Sequence, residues 1–193
     1  MLGLLAPTDP TWVEAVERDL DRLLSDHAHC ELKAAHSALS LVGRYAGEMP
    51  EMVAPLVALA HEETEHFREV EERIRARGGS LAIPASDPYV VALKQACRDG
   101  EDTPALLDRL LIASLIEARS CERFKVLSDH LKDASLAAFY RELMASEATH
   151  HRLFTRLAEG RFGEDATRAR LRTLAEREAQ LASSLPLGPT VHG

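Results

Sequence analysis

Six side chains of two types carry the chemistry this sequence can perform: Glu31, Glu63, His66, Glu117, Glu147 and His150. Four of them form two copies of Glu-x-x-His, in Glu63-Thr64-Glu65-His66 and Glu147-Ala148-Thr149-His150. Residues three apart on a helix share a face about one turn apart, so each copy points one carboxylate and one imidazole the same way, close enough to hold one metal ion. A single copy is a weak signal, because Glu and His are common on helix surfaces. The signal gains weight from a lone glutamate upstream of each copy. Glu63 follows Glu31 by 32 residues, and Glu147 follows Glu117 by 30. That interval lets a helix run past a site, turn and return antiparallel to the same depth, roughly 15 residues and about 20 Å each way. Four carboxylates in one core repel each other and lose hydration. Two divalent cations remove that penalty, and mixed carboxylate and imidazole donors suit iron or manganese better than a structural zinc.

The order Glu, Glu-x-x-His, Glu, Glu-x-x-His is similar to the ligand set of the ferritin-like di-iron carboxylate bundles. The expected fold is therefore all-α: a ferritin-like four-helix bundle with a crossover connection and additional flanking helices, one domain over residues 1–193. The bundle would consist of helix pairs at about 26–78 and 103–160, followed by a C-terminal helix at about 164–183. The pairs form an internal repeat. Glu31 and Glu117 lie 86 residues apart and the two Glu-x-x-His copies 84, a slip that an inter-helix turn absorbs. The run of residues 110–116 ahead of Glu117 is apolar nearly all round, as a buried helix requires.

Composition fits this reading. Apolar residues make up 46% of the 193 and charged residues 28%, a globular profile in which Ala, Leu, Glu and Arg favour helix. The first residues lack a basic segment and a long apolar run, which argues against a signal peptide, and no apolar stretch is long enough to span a bilayer. Three cysteines without a Cys-x-x-Cys fit a reducing cytoplasm. The net charge of −8 argues against a generally basic nucleic-acid binder, so any RNA contact requires a local patch.

Punctuation places the elements. Asp9-Pro10 and the Thr11–Glu14 capping box open a first helix that runs to about Leu24. Ser25 and Asp26 are expected to cap the helix bearing Glu31, which ends near Gly47. Pro50 and Pro55 bracket the start of the third helix, which stops at Gly78-Gly79. Asp87-Pro88 opens a short helix ending at Asp99-Gly100, and Thr103-Pro104 caps the helix of Glu117. The helix of Glu147 begins near Asp133 and ends at Gly160, and the tail from Pro186 is irregular.

Neighbours of the six have plainer readings. Glu62, Glu65 and His151 are expected to be solvated or outer groups. His27, four residues before Glu31, is either an outer partner of that ligand or an ordinary histidine. Cys121, one turn after Glu117, reads as a small buried hydrophobe before it reads as a group beside the metals. Tyr140 and Phe124 share the ligand faces, with core packing as their default role, and Cys30 has no assigned one. Arg68, Arg73, Arg75 and Arg77 form one basic cluster, and Arg161, Arg168, Arg170, Arg172 and Arg177 another. Either could meet phosphates, though pairing with nearby Glu on a solvated surface is the default for any single arginine.

Several longer stretches resemble one family. They are residues 26–35 (Asp-His-Ala-His-Cys-Glu-Leu-Lys-Ala-Ala), Glu63 to Phe67, residues 116–124 (Ile-Glu-Ala-Arg-Ser-Cys-Glu-Arg-Phe), Phe139-Tyr140 and Ser146 to His150. Together they are similar to the bacterial tRNA 2-methylthio-N6-isopentenyladenosine hydroxylases, over nearly the whole chain. The resemblance implies oxygen-dependent hydroxylation of the isopentenyl group beside the tRNA anticodon. It implies two non-haem iron ions on the six residues named above, O2 as co-substrate, and an external reductase or ferredoxin-like electron donor. It also implies a tRNA partner, no membrane, and a monomer or small homo-oligomer. The competing readings are a ferritin- or rubrerythrin-like iron or peroxide protein, and a di-iron oxygenase acting on a small molecule.

Overall fold

The computed structural model describes residues 2–97 and 104–192. Every regular element among them is helical: α1 (Trp12–Arg18), α2 (Leu20–Tyr45), α3 (Val53–Ala76), α4 (Pro88–Lys94), α5 (Ala105–His130), α6 (Ala134–Phe162) and α7 (Glu164–Ser184). A single 3-10 turn, Pro50–Met52, leads into α3. No helix among the described residues is long and apolar enough to cross a membrane. The chain falls into two compact units, each built on one long helix pair.

The first unit comprises Val16–Ala85 with Pro189–Val191 and contains the packed pair α2 and α3. Its core includes Leu23, Leu24, Ala28, Ala38 and Leu56, all fully buried. Burying a leucine is worth about 1.5–3 kcal/mol, so these positions fix which face of each helix turns inward. The helix break expected at Ser25-Asp26 lies earlier. Asp19 is the cap, its carboxylate accepting from the Arg22 N–H at 3.1 Å, and α2 runs unbroken through Ser25 and Asp26. Those two polar side chains serve other backbone: the Ser25 hydroxyl accepts from Ala82 N–H at 2.8 Å, and Asp26 from Val191 N–H at 2.8 Å. The end of α3 is as expected. Gly78 takes φ +78°, and Gly79 N–H returns to the Ile74 carbonyl at 3.0 Å, which closes the last turn.

The second unit comprises Met1–Ala15, Ser86–Gly188 and His192–Gly193, and is built on the packed pair α5 and α6. Helix α5 is buried nearly all round, with Leu110, Leu111, Leu115, Ala118 and Leu127 in the core. That is possible because α4 and α7 also pack on it. Asp87 caps α4 through Val90 N–H, and Asp133 caps α6 through Ser135 and Leu136 N–H. Gly160 does not end α6. The helix continues two residues to Phe162, and Gly163 at φ +83° supplies the exit conformation instead. The Trp12 ring is wholly buried, donates its indole N–H to the Gly188 carbonyl at 2.9 Å, and lies 4.7 Å under the Arg123 guanidinium. The expected end of the short helix at Asp99-Gly100, and Thr103, lie outside the described residues.

Candidate metal centre

Each unit carries one half of the sequence-predicted ligand set. In the first, α2 supplies Glu31 and α3 supplies Glu63 and His66. One donor atom from each of the three lies within 4.8 Å of the others. Glu31 and Glu63 are buried and His66 is half-buried. His66 Nδ1 sits 3.3 Å from Glu63 Oε2, the one-turn contact that i, i+3 spacing predicts. His27, fully buried one turn before Glu31, hydrogen-bonds through Nε2 to Glu31 Oε1. Of its two readings, the outer partner of Glu31 is the one the geometry supports.

In the second unit, α5 supplies Glu117 and α6 supplies Glu147 and His150, and their donor atoms again lie within 4.8 Å of one another. All three residues are buried. The repeat therefore holds at the level of atoms: two carboxylates and one imidazole converge in each helix pair. Two buried carboxylates at such range repel strongly in a medium poorer in water than the surface. A divalent cation bound by both reverses the sign of that energy. The donor set thus fits iron or manganese on an observation independent of spacing.

The neighbours separate cleanly. Glu65 is a surface residue paired with Arg68. His151 is neither solvated nor aimed at the ligands. It is buried, with Nδ1 2.8 Å from Ser114 Oγ and 2.9 Å from the Ser114 carbonyl, and burial pushes its pKa down, so it stays neutral at pH 7. Phe124 and Tyr140 are core rings 5.2 Å apart. Cys121 donates its thiol to the Met144 carbonyl at 3.3 Å, and burial raises its pKa to about 11. At pH 8 that leaves roughly a hundredfold less thiolate than an exposed thiol has. Cys121 should therefore be the slowest of the three cysteines to react with iodoacetamide. Labelling of Cys121 as fast as Cys30 or Cys97, read by peptide mass spectrometry, would contradict its buried placement.

Sequence reasoning used residues 116–124 for resemblance but missed what their charges do. Arg119 is 1% exposed. It donates to Glu178 Oε1 at 2.8 Å, Glu122 Oε2 at 3.0 Å and the Ala6 carbonyl at 2.9 Å. Glu122 also accepts from the Thr8 N–H and hydroxyl, and Tyr89 donates to Glu178 at 3.0 Å. The signal was present: charges on a helix that is apolar all round must be buried, and buried charges must be paired.

The two arginine clusters are largely spoken for. On α3, Arg68 bonds Glu65 and Glu72 and Arg75 bonds Glu71, and just past its end Arg77 bonds Asp21. On α7, Arg170 grips the buried Asp108 through two bonds of 2.6 Å, Arg168 lies 3.5 Å from Glu164, and Arg177 bonds Gln180.

An all-helical chain that repeats a Glu plus Glu-x-x-His set belongs to the ferritin-like class. A solved structure agrees: the chain is similar to "Protein 43 with aldehyde deformylating oxygenase activity from Synechococcus", with a TM-score of 0.92 and 39% identity over 98% of this chain and 95% of that one. Within that class it belongs to the tRNA-(MS[2]IO[6]A)-hydroxylase (MiaE) family, whose profile matches residues 2–193. Two relatives carry the name tRNA 2-(methylsulfanyl)-N(6)-isopentenyladenosine(37) hydroxylase. The Pseudomonas putida protein is 38% identical over 164 residues, covering 85% of this chain and 78% of its own. The Salmonella typhimurium protein is 32% identical over 229 residues, covering 94% and 84%.

Proposed function

We propose that this enzyme hydroxylates the isopentenyl group of 2-methylthio-N6-isopentenyladenosine beside the tRNA anticodon, using two iron ions held by Glu31, Glu63, His66, Glu117, Glu147 and His150. Family membership supplies the reaction class. The observation that carries the metal assignment is that each helix pair brings the same three donor types within 4.8 Å of one another. On this reading the two pairs act as one di-iron domain. When bound and reduced, the irons supply activation of O2, with electrons from an external reductase or ferredoxin-like donor.

The chain's own residues do the rest. His27 holds one oxygen of Glu31, which fixes the carboxylate's orientation before metal arrives. Buried α5 and α6 side chains, Leu143 and Phe154 among them, keep water from the α5–α6 donors. The thiol of Cys121 is held protonated against the Met144 carbonyl. The proposed setting is cytoplasmic, as a monomer or small homo-oligomer.

The test is direct. Iron-loaded, chemically reduced protein is given O2 and tRNA from cells lacking this hydroxylation, and the nucleosides are read by mass spectrometry. One added oxygen on the methylthio-isopentenyl adenosine, lost in Glu117→Ala, is the expected result. No added oxygen, with two irons bound and O2 consumed, overturns the tRNA reading. One observation favours a second substrate: the 39% identical Synechococcus protein has aldehyde deformylating oxygenase activity. A long-chain aldehyde in the same assay, with products read by gas chromatography, decides that case.

A further inference from the structure

In a chain of net charge −8, a pair of exposed arginines on one helix face with no acid between them is a local basic feature. The exposed face of α6 carries Arg141, Ala145, Thr149, Arg152 and Arg156 at helical spacing. Arg141 reaches the Ser128 carbonyl at 3.4 Å. Between Glu142 and Glu159 the only acid on α6 is Glu147, which is buried on the opposite side. Arg152 and Arg156 therefore stand one turn apart, both exposed, with neither guanidinium in an ion pair among the described residues. Like charges four residues apart work against a helix. The arrangement contrasts with α3, where Arg68 and Arg75 each have an acid.

We infer that Arg152 and Arg156 form a phosphate-binding pair that holds the tRNA backbone against α6. The inference rests on the tRNA hydroxylase reading and adds to it the surface that meets the substrate. Four residues advance a helix by about 6 Å, close to one nucleotide step of an extended strand. Each guanidinium presents a planar fork matched to phosphate oxygens. The pair is also tied to the candidate site. Arg152 lies near enough to Cys121, one turn beyond Glu117, for its charge to bear on that thiol. Glu147 and His150 belong to the same helix. Phosphates held here would therefore lie beside the helix pair that supplies half of the metal donors.

The experiment measures tRNA binding by fluorescence anisotropy over a salt series, for the wild type, Arg152→Ala/Arg156→Ala, and Arg68→Ala/Arg75→Ala. Circular dichroism confirms folding, which these exposed positions should not disturb. The α6 double variant should bind at least about tenfold more weakly at low salt. Its slope of log affinity against log salt should shrink by about 0.7 per arginine if the phosphates belong to a single-stranded loop. Hydroxylation of the free prenylated nucleoside should be unchanged, and the α3 variant should bind like the wild type. An α6 variant that binds tRNA with wild-type affinity and slope overturns the inference, as does an equal loss in the α3 variant. A wild-type protein that does not bind tRNA at all removes the substrate reading itself, an outcome visible before any variant is compared.

Discussion

Replacing Glu147 with leucine is expected to stabilise the metal-free protein and to abolish metal binding, two effects of opposite sign from one substitution. Glu147 is buried, and one of its oxygens lies within 4.8 Å of donor atoms on Glu117 and His150. Without a cation the fold must hold two carboxylates together away from water. Removing one of two like charges held close together away from water relieves their repulsion and the desolvation cost of one of them. With a cation the energies reverse. A ligand that binds only the folded state stabilises it by about 2.7 kcal/mol at a hundred times its dissociation constant. Thermal melts with and without anaerobic ferrous ion should show a large metal-dependent rise for the wild type and little for Glu147→Leu. Hydroxylation should fall below detection, and iron per chain should drop. A variant that is less stable without metal and still binds two irons would show Glu147 to be an ordinary buried acid.

The prediction is possible because this part of the molecule is local. Glu-x-x-His places its donors through helix geometry alone, so the sequence reveals each half-site before any packing is known. The same holds for the exits at Gly78 and the caps at Asp87 and Asp133, where one residue's chemistry decides a boundary. Legibility fails where a side chain has two possible jobs. Ser25 and Asp26 have the chemistry of a cap, yet they receive N–H groups from Ala82 and Val191, far along the chain. Gly160 has the type of a helix terminator, but nothing forces the chain to leave α6 until Gly163 adopts positive φ. The arginine clusters follow their default reading. The acids three or four positions away neutralise several of them, as helical spacing suggests, whereas Asp21 on Arg77 and Asp108 on Arg170, 56 and 62 residues away, show only in the fold. The basic pair on α6 shows only once burial is known, because Glu147, the acid nearest Arg152 in sequence, is turned into the core.

Glu178→Ala is expected to be the most destabilising single change outside the metal ligands, by about 3–5 kcal/mol, the usual cost of stripping one member from a buried ion pair. Glu178 is fully buried on α7 and takes Arg119 at 2.8 Å and Tyr89 at 3.0 Å. Without it, two guanidinium groups, those of Arg119 and Arg123, share this interior with the Glu122 carboxylate. Arg123 is already driven down to a pKa of about 10, first by burial and next by the charge of Arg119. The Tyr89 hydroxyl also loses its acceptor. Because total stability is only about 5–15 kcal/mol, the loss should be plain in urea unfolding. It should also be regional. Arg119 ties the N-terminal Ala6 and Thr8, α5 and α7 into one network, so limited proteolysis of the variant should cut first in the N-terminal segment and α7. The control is the double substitution Arg119→Met/Glu178→Leu, which removes both charges together. It should cost clearly less than the sum of its single changes, because neither leaves the other's partner stranded. Strict additivity would mean that the two side chains stabilise the fold independently, and that the charges on α5 are not what holds α7 in place.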